Sequence, residues 1–101
     1  MIELGGNIEL VGFSEIDGGS MIVLKKIVGN YVKKLSSIAD NFEKLTLTLK
    51  KVHEREKSEK YEIHGKLMDG GKAYTSEVTD RNLFFGVNKA LEKIESALSK
   101  E

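Results

Sequence analysis

Residues Tyr61–Val78 read YEIHGKLMDGGKAYTSEV. Polar and apolar residues alternate on both sides of Asp69-Gly70-Gly71-Lys72, and Gly-Gly between two such runs signals a two-residue hairpin turn. A turn of known length sets the register of its strands. Leu67 is therefore predicted opposite Tyr74, Gly65 opposite Ser76 and Ile63 opposite Val78, all on a buried side. His64 is predicted opposite Glu77, and Lys66 opposite Thr75, on the other side. Immediately upstream, Phe42–His53 (FEKLTLTLKKVH) alternates Leu45, Leu47 and Leu49 with Lys44, Thr46, Thr48 and Lys50, the pattern of a third half-buried strand. Between them, Glu54–Ser58 (EREKS) reads as a charged, flexible connection.

Two helices flank these strands. Ser20–Ala39 (SMIVLKKIVGNYVKKLSSIA) repeats Leu24, Ile27, Val28, Tyr31, Leu35 and Ile38 at three- and four-residue steps, with Lys26, Asn30, Lys33 and Ser37 on another face. Asp17-Gly18-Gly19-Ser20 supplies a turn before it, with Asp17 or Ser20 as cap. Asp40-Asn41 ends it. Gly29 in its middle costs about 1 kcal/mol relative to alanine, which a close neighbouring backbone would justify. The last helix is predicted to be capped by Thr79 or Asp80. It buries Phe84, Val87, Leu91, Ile94 and Leu98, with Ala90 and Ala97 beside them. At the other terminus Ile2 and Leu4 precede Gly5-Gly6-Asn7, and Ile8, Leu10, Val11 and Phe13 follow. Two short strands and one strand with a glycine bulge both fit; the reading favoured here is one strand interrupted near Gly5-Gly6.

The order strand, helix, three strands, helix predicts a single α+β domain over residues 1–101. It is a two-layer β-α-β-β-β-α sandwich, its sheet antiparallel at least through the last three strands and both helices on one face. A chain of 101 residues buries roughly 60–70% of its unfolded surface, enough for one such core. It has no cysteine, which removes disulfides, thiolate metal sites and cysteine nucleophiles. No apolar run reaches the ~18 residues of a membrane span. The start Met-Ile-Glu-Leu lacks the basic region of a signal peptide, so a cytoplasmic protein is expected.

Catalytic groups do not assemble in the sequence. Ser20, Ser36 and Ser37 have no His/Asp pair or G-x-S-x-G context. His53 and His64 are the only histidines, and neither belongs to an HxxxH or HExxH spacing. They read as exposed strand histidines, with no metal or cofactor expected. Asp17-Gly-Gly-Ser lacks the spacing of a phosphate loop and reads as a turn.

Charge is more informative in its placement than in its sum. Sixteen basic and sixteen acidic residues cancel, yet Ser20–Ala39 contains Lys25, Lys26, Lys33 and Lys34 and no acid. Lys50, Lys51, His53 and Arg55 cluster at the end of the third-to-last strand, and Lys89 and Lys93 share one side of the last helix. The compensating acids are expected in the first strand region and in connections. Such segregation lets one side of a neutral protein meet phosphates. Tyr31, Phe42, Tyr61, Tyr74 and Phe84 fall on buried stripes and read as core rather than base-stacking platforms.

Asn30–Ile38 (NYVKKLSSI), the strand LTLTLKKV and the segment DGGKAYTSEVTDRNLFFGVNKALEKIESALSK together resemble the ribosome hibernation-promoting factor family, the ribosome-associated translation inhibitors of the protein Y type. The resemblance covers most of the chain. It implies a fold similar to double-stranded RNA-binding domains and a partner in the small ribosomal subunit or other structured RNA, where idle ribosomes are silenced or stabilised. The residues placed to meet RNA in that reading are Lys25, Lys26, Lys33, Lys34, Lys50, Lys51, Arg55, Lys89 and Lys93. The sequence departs from the family in its neutral charge, an extra segment near Leu10–Ile16, and Gly86 and Asn88 where alanine and aspartate are usual. The rival reading is a non-enzymatic protein-interaction or self-associating module with no nucleic-acid role.

Overall fold

The computed structural model describes residues 2–3, 7–55 and 58–100, and the side chains of 7–52 and 59–100. The described elements are β1 (Ile2–Glu3), β2 (Ile8–Val11), α1 (Gly18–Ile38), β3 (Phe42–Arg55), β4 (Ser58–Asp69), β5 (Lys72–Asp80) and α2 (Leu83–Ser99). They form an α+β fold with one five-stranded mixed sheet in the order β1-β2-β3-β4-β5. β2 and β3 are parallel and every other neighbouring pair is antiparallel. A parallel pair needs a long crossover, and α1 supplies it.

The hairpin register holds as the turn chemistry requires. Leu67 pairs with Tyr74, Lys66 with Thr75, Gly65 with Ser76, His64 with Glu77 and Ile63 with Val78. Gly70 and Gly71 adopt φ of 57° and 86°, the positive values that a tight hairpin turn demands and side chains disfavour. Period-two alternation then sends Leu45, Leu47, Leu49, Ile63, Leu67 and Val78 to one buried face. Met21, Leu24, Val28 and Leu35 of α1 and Leu83, Val87, Ala90, Leu91, Ile94 and Leu98 of α2 cover that face. Gly65 lies where α2 approaches most closely. A Cβ there would sit 2.7 Å from Ser76 Oγ and 2.8 Å from Ile94 Cδ1, and the Ser76 hydroxyl is itself held by donating to the Ala90 carbonyl at 2.9 Å.

Several expectations are corrected. The N-terminal segment is a pair of strands: Ile2 pairs with Leu10 and Glu3 with Glu9, antiparallel. One edge of β2 is taken by β3, and folding back lets the first residues satisfy the other edge. Gly5 and Gly6 lie outside the described residues. Glu54, Arg55 and Ser58 belong to strands rather than to a connection, since β3 runs through Arg55, which pairs with Ser58 across a register shift. Backbone pairing uses main-chain groups only, whatever the side chains' polarity. The cap of α2 is Asn82, whose side chain accepts from Phe85 N–H at 3.0 Å. β5 continues through Asp80, so Thr79 is still strand, and Asp80 instead accepts from Asn82 N–H at 2.8 Å. Asp17 caps α1 by accepting from Ser20 N–H at 3.0 Å. Among the described residues, nothing outside the helix's own backbone lies within 4 Å of a Gly29 Cβ, so no close neighbouring backbone there justifies that glycine. Ile38, the last residue of α1, is 39% exposed.

β3 and β4 outreach their neighbours. β2 stops at Val11, opposite Thr48, and β5 stops at Asp80, opposite Tyr61. Beyond them the two long strands continue alone as a projecting arm. At about 3.3 Å per residue, the 14 residues of β3 span roughly 45 Å, matching the longest dimension of the molecule, 45 Å.

Candidate nucleic-acid interface

Each predicted lysine is exposed, but the structure does not gather them into one patch. A helix turns by about 100° per residue. Lys26 and Lys33, seven residues apart, therefore share the outermost line of α1, together with exposed Asn30 and Ser37. Lys25 and Lys34, nine residues apart, leave on opposite flanks. Lys34 lies over the Tyr31 ring at 5.3 Å from its centroid. Lys89 and Lys93 are one turn apart on α2, and both border the free edge of β5, where the Lys93 ammonium donates to the Glu77 carbonyl at 3.2 Å. Lys50 and Lys51 are exposed at the root of the β3–β4 arm. Arg55 is on the arm's outer end of β3, and its side chain lies outside the described residues.

Acidic groups lie among these sets. Tyr31 packs beside α2, where burial raises its hydroxyl pKa above the ordinary tyrosine value, the charges of Glu92 and Glu95 add to that rise, and a hydrogen bond with the Asn88 side chain opposes it. The groove between the helices therefore carries carboxylates. On the open side of the sheet, Glu9 meets Lys44 at 3.0 Å, and Glu62 and Glu77 flank His64. The acids thus lie on the sheet and on α2 as well as in connections, contrary to the sequence expectation. The aromatic residues follow the core reading: Tyr31, Phe42, Tyr61, Tyr74 and Phe84 pack partly buried against it.

Some surface features were not anticipated. Ile22, Val23 and Phe85 are 60%, 44% and 66% exposed, all in the first turns of the two helices. The helical phase was the available signal, since all three lie off the apolar stripes. Arg81 joins Asp17, Ser20, Tyr61 and Asn82 around a cavity of about 240 Å³, which places the starts of both helices beside the root of the arm. The outward sheet face bears Lys44, Thr46, Thr48, Glu62, His64, Lys66, Thr75 and Glu77, none of them fully buried. Among the described residues no helix is long and apolar enough to cross a membrane.

No family model matches the sequence, and no curated protein matches it. Solved structures do. A ribosomal subunit interface protein from Coxiella burnetii superposes with a TM-score of 0.60 at 18% identity, over 93% of this chain and 92% of the other. The N-terminal domain of Thermus thermophilus Protein Y superposes with a TM-score of 0.55 at 17% identity, over 92% of this chain and 93% of the other. The likeness in fold thus covers more than nine-tenths of each chain.

Proposed function

We propose that this chain is a non-enzymatic, ribosome-associated protein of the cytoplasm that docks on structured RNA of the small subunit. The observation that carries the reading is the match in fold, over more than nine-tenths of each chain, to a protein described as a ribosomal subunit interface protein. The lysine arrangement supports it. Lys26 and Lys33 project from an acid-free helix, Lys89 and Lys93 from α2 beside the β5 edge, and Lys50 and Lys51 from opposite faces at the root of the arm, separate points suited to phosphates spaced along folded RNA. Silencing or stabilising idle ribosomes is the role that the family resemblance implies. A sheet-to-sheet dimer, the main form of the rival interaction reading, has little support, because the open face is polar.

The test is co-sedimentation with isolated ribosomal subunits across a salt series. Association at low salt that weakens as salt rises is expected, with the log–log slope falling by about one for each phosphate-contacting lysine removed. The quadruple variant Lys26→Glu, Lys33→Glu, Lys89→Glu, Lys93→Glu should lose association while melting like the parent. Absence of association at low salt refutes the proposal.

A further inference from the structure

The open face of the sheet holds a second kind of chemistry. Glu62 and His64 are two residues apart on β4, so both side chains leave the same face. The hairpin register sets Glu77 of β5 directly opposite His64. His64 Nε2 lies 2.6 Å from Glu62 Oε1 and 4.0 Å from Glu77 Oε1, and the three candidate ligand atoms all fall within 4.8 Å of one another. We infer that Glu62, His64 and Glu77 form a surface site for a divalent transition metal such as Zn²⁺.

The argument is geometric and chemical. Zinc takes imidazole nitrogen and carboxylate oxygen at about 2.0–2.2 Å, which in a tetrahedral arrangement puts ligand atoms roughly 3.4 Å apart. The observed separations bracket that value. Opening the Glu62 contact and closing the Glu77 contact by a fraction of an ångström, through side-chain torsions alone, meets it. Two carboxylates offset a dication's charge, and the single imidazole biases the site away from calcium and magnesium, which favour oxygen. The side chains of His64 and Glu77 are 41% and 65% exposed, so an ion enters freely and water completes the coordination. Strand backbone sets the ligand positions, with His64 paired to Thr48 on β3 and Glu62 to Lys50 on β3 and Thr79 on β5. Lys50, Lys60 and Lys66 share this face, each with its charge at the end of a long side chain.

The experiment uses the full, untagged chain stripped with chelator at neutral pH. Calorimetric titration with Zn²⁺ should show one equivalent bound, and Co²⁺ should give a visible ligand-field spectrum. His64→Ala should abolish both, whereas His53→Ala should leave both intact. Removing partners that merely orient a ligand costs about 10–100-fold in affinity, so Glu62→Gln and Glu77→Gln should each weaken binding by at least about tenfold. In the unsubstituted protein, ring ¹⁵N spectra should show the His64 signals moving with Zn²⁺ while those of His53 stay still, a readout that does not require any variant to fold. Absence of Zn²⁺ binding, binding that survives His64→Ala, or ring shifts at His53 instead overturns the site.

Discussion

The two helices have similar amphipathic patterns and different commitments. α2 buries Leu83, Gly86, Val87, Ala90, Leu91, Ile94 and Leu98 within 17 residues, whereas α1 buries Met21, Leu24, Val28 and Leu35 within 21. α2 packs on β4, β5 and α1, and α1 packs on β3 and α2. The sheet beneath α2 is therefore what the fold rests on. α1 keeps a wide solvent face with no acid on it, so that face is free to carry charge for a partner. Burial constrains one helix, and the other is left open to selection for what it touches.

The sharpest way to break this contrast is to make the same change in both regions. Under α2, Gly65→Ala introduces a methyl 2.7 Å from Ser76 Oγ and 2.8 Å from Ile94 Cδ1. Both neighbours are held, the serine by its bond to Ala90 and the isoleucine by complete burial. Overpacking of this kind costs about 1–3 kcal/mol, and the midpoint of urea unfolding should fall accordingly. An unchanged midpoint would mean that α2 is not closely seated on β4.

In α1 the same substitution should change sign. Gly29→Ala meets open space and removes a residue that costs a helix interior about 1 kcal/mol, so the urea midpoint should rise. A fall would mean that α1 needs flexibility or close approach at that point.

These residues also show what the sequence could and could not convey. The β4–β5 register was readable because Gly70-Gly71 and strict alternation leave one pairing that keeps every apolar residue on the same side. The pair β1–β2 was less readable, since a bulge and a fold-back place the same residues in extended backbone and differ only in which edge they occupy. The lysines were recognisable as solvent-facing from helical phase. The approach of Glu92 and Glu95 to Tyr31 was not, because it depends on which flank of α2 faces α1, a matter of how two helices dock rather than of either pattern alone. His64 beside Glu77 was visible in the register, and Glu62 completes that cluster through the two-residue strand spacing.

The smallest effect tests the seam between the helices. Tyr31 of α1 has its hydroxyl pKa raised above 10.0, first by burial and then by Glu92 and Glu95 of α2. A raised folded-state pKa means that the folded protein holds this proton more tightly than the unfolded chain does. The resulting stability is fully present below the unfolded value and is lost as pH rises through the folded one. Between pH 10.0 and the folded value, stability should therefore decline more steeply in the parent than in Tyr31→Phe, which has no phenol to ionise. The comparison must be made as a difference between the two proteins, since lysines titrate in the same range. Phenolate absorbance gives the second readout, because the substitution should remove a component titrating above the ordinary tyrosine range. If both proteins lose stability in parallel, neither burial nor the charges of Glu92 and Glu95 perturb Tyr31 in solution. Tyr31 would then not be seated against α2 as the structure has it.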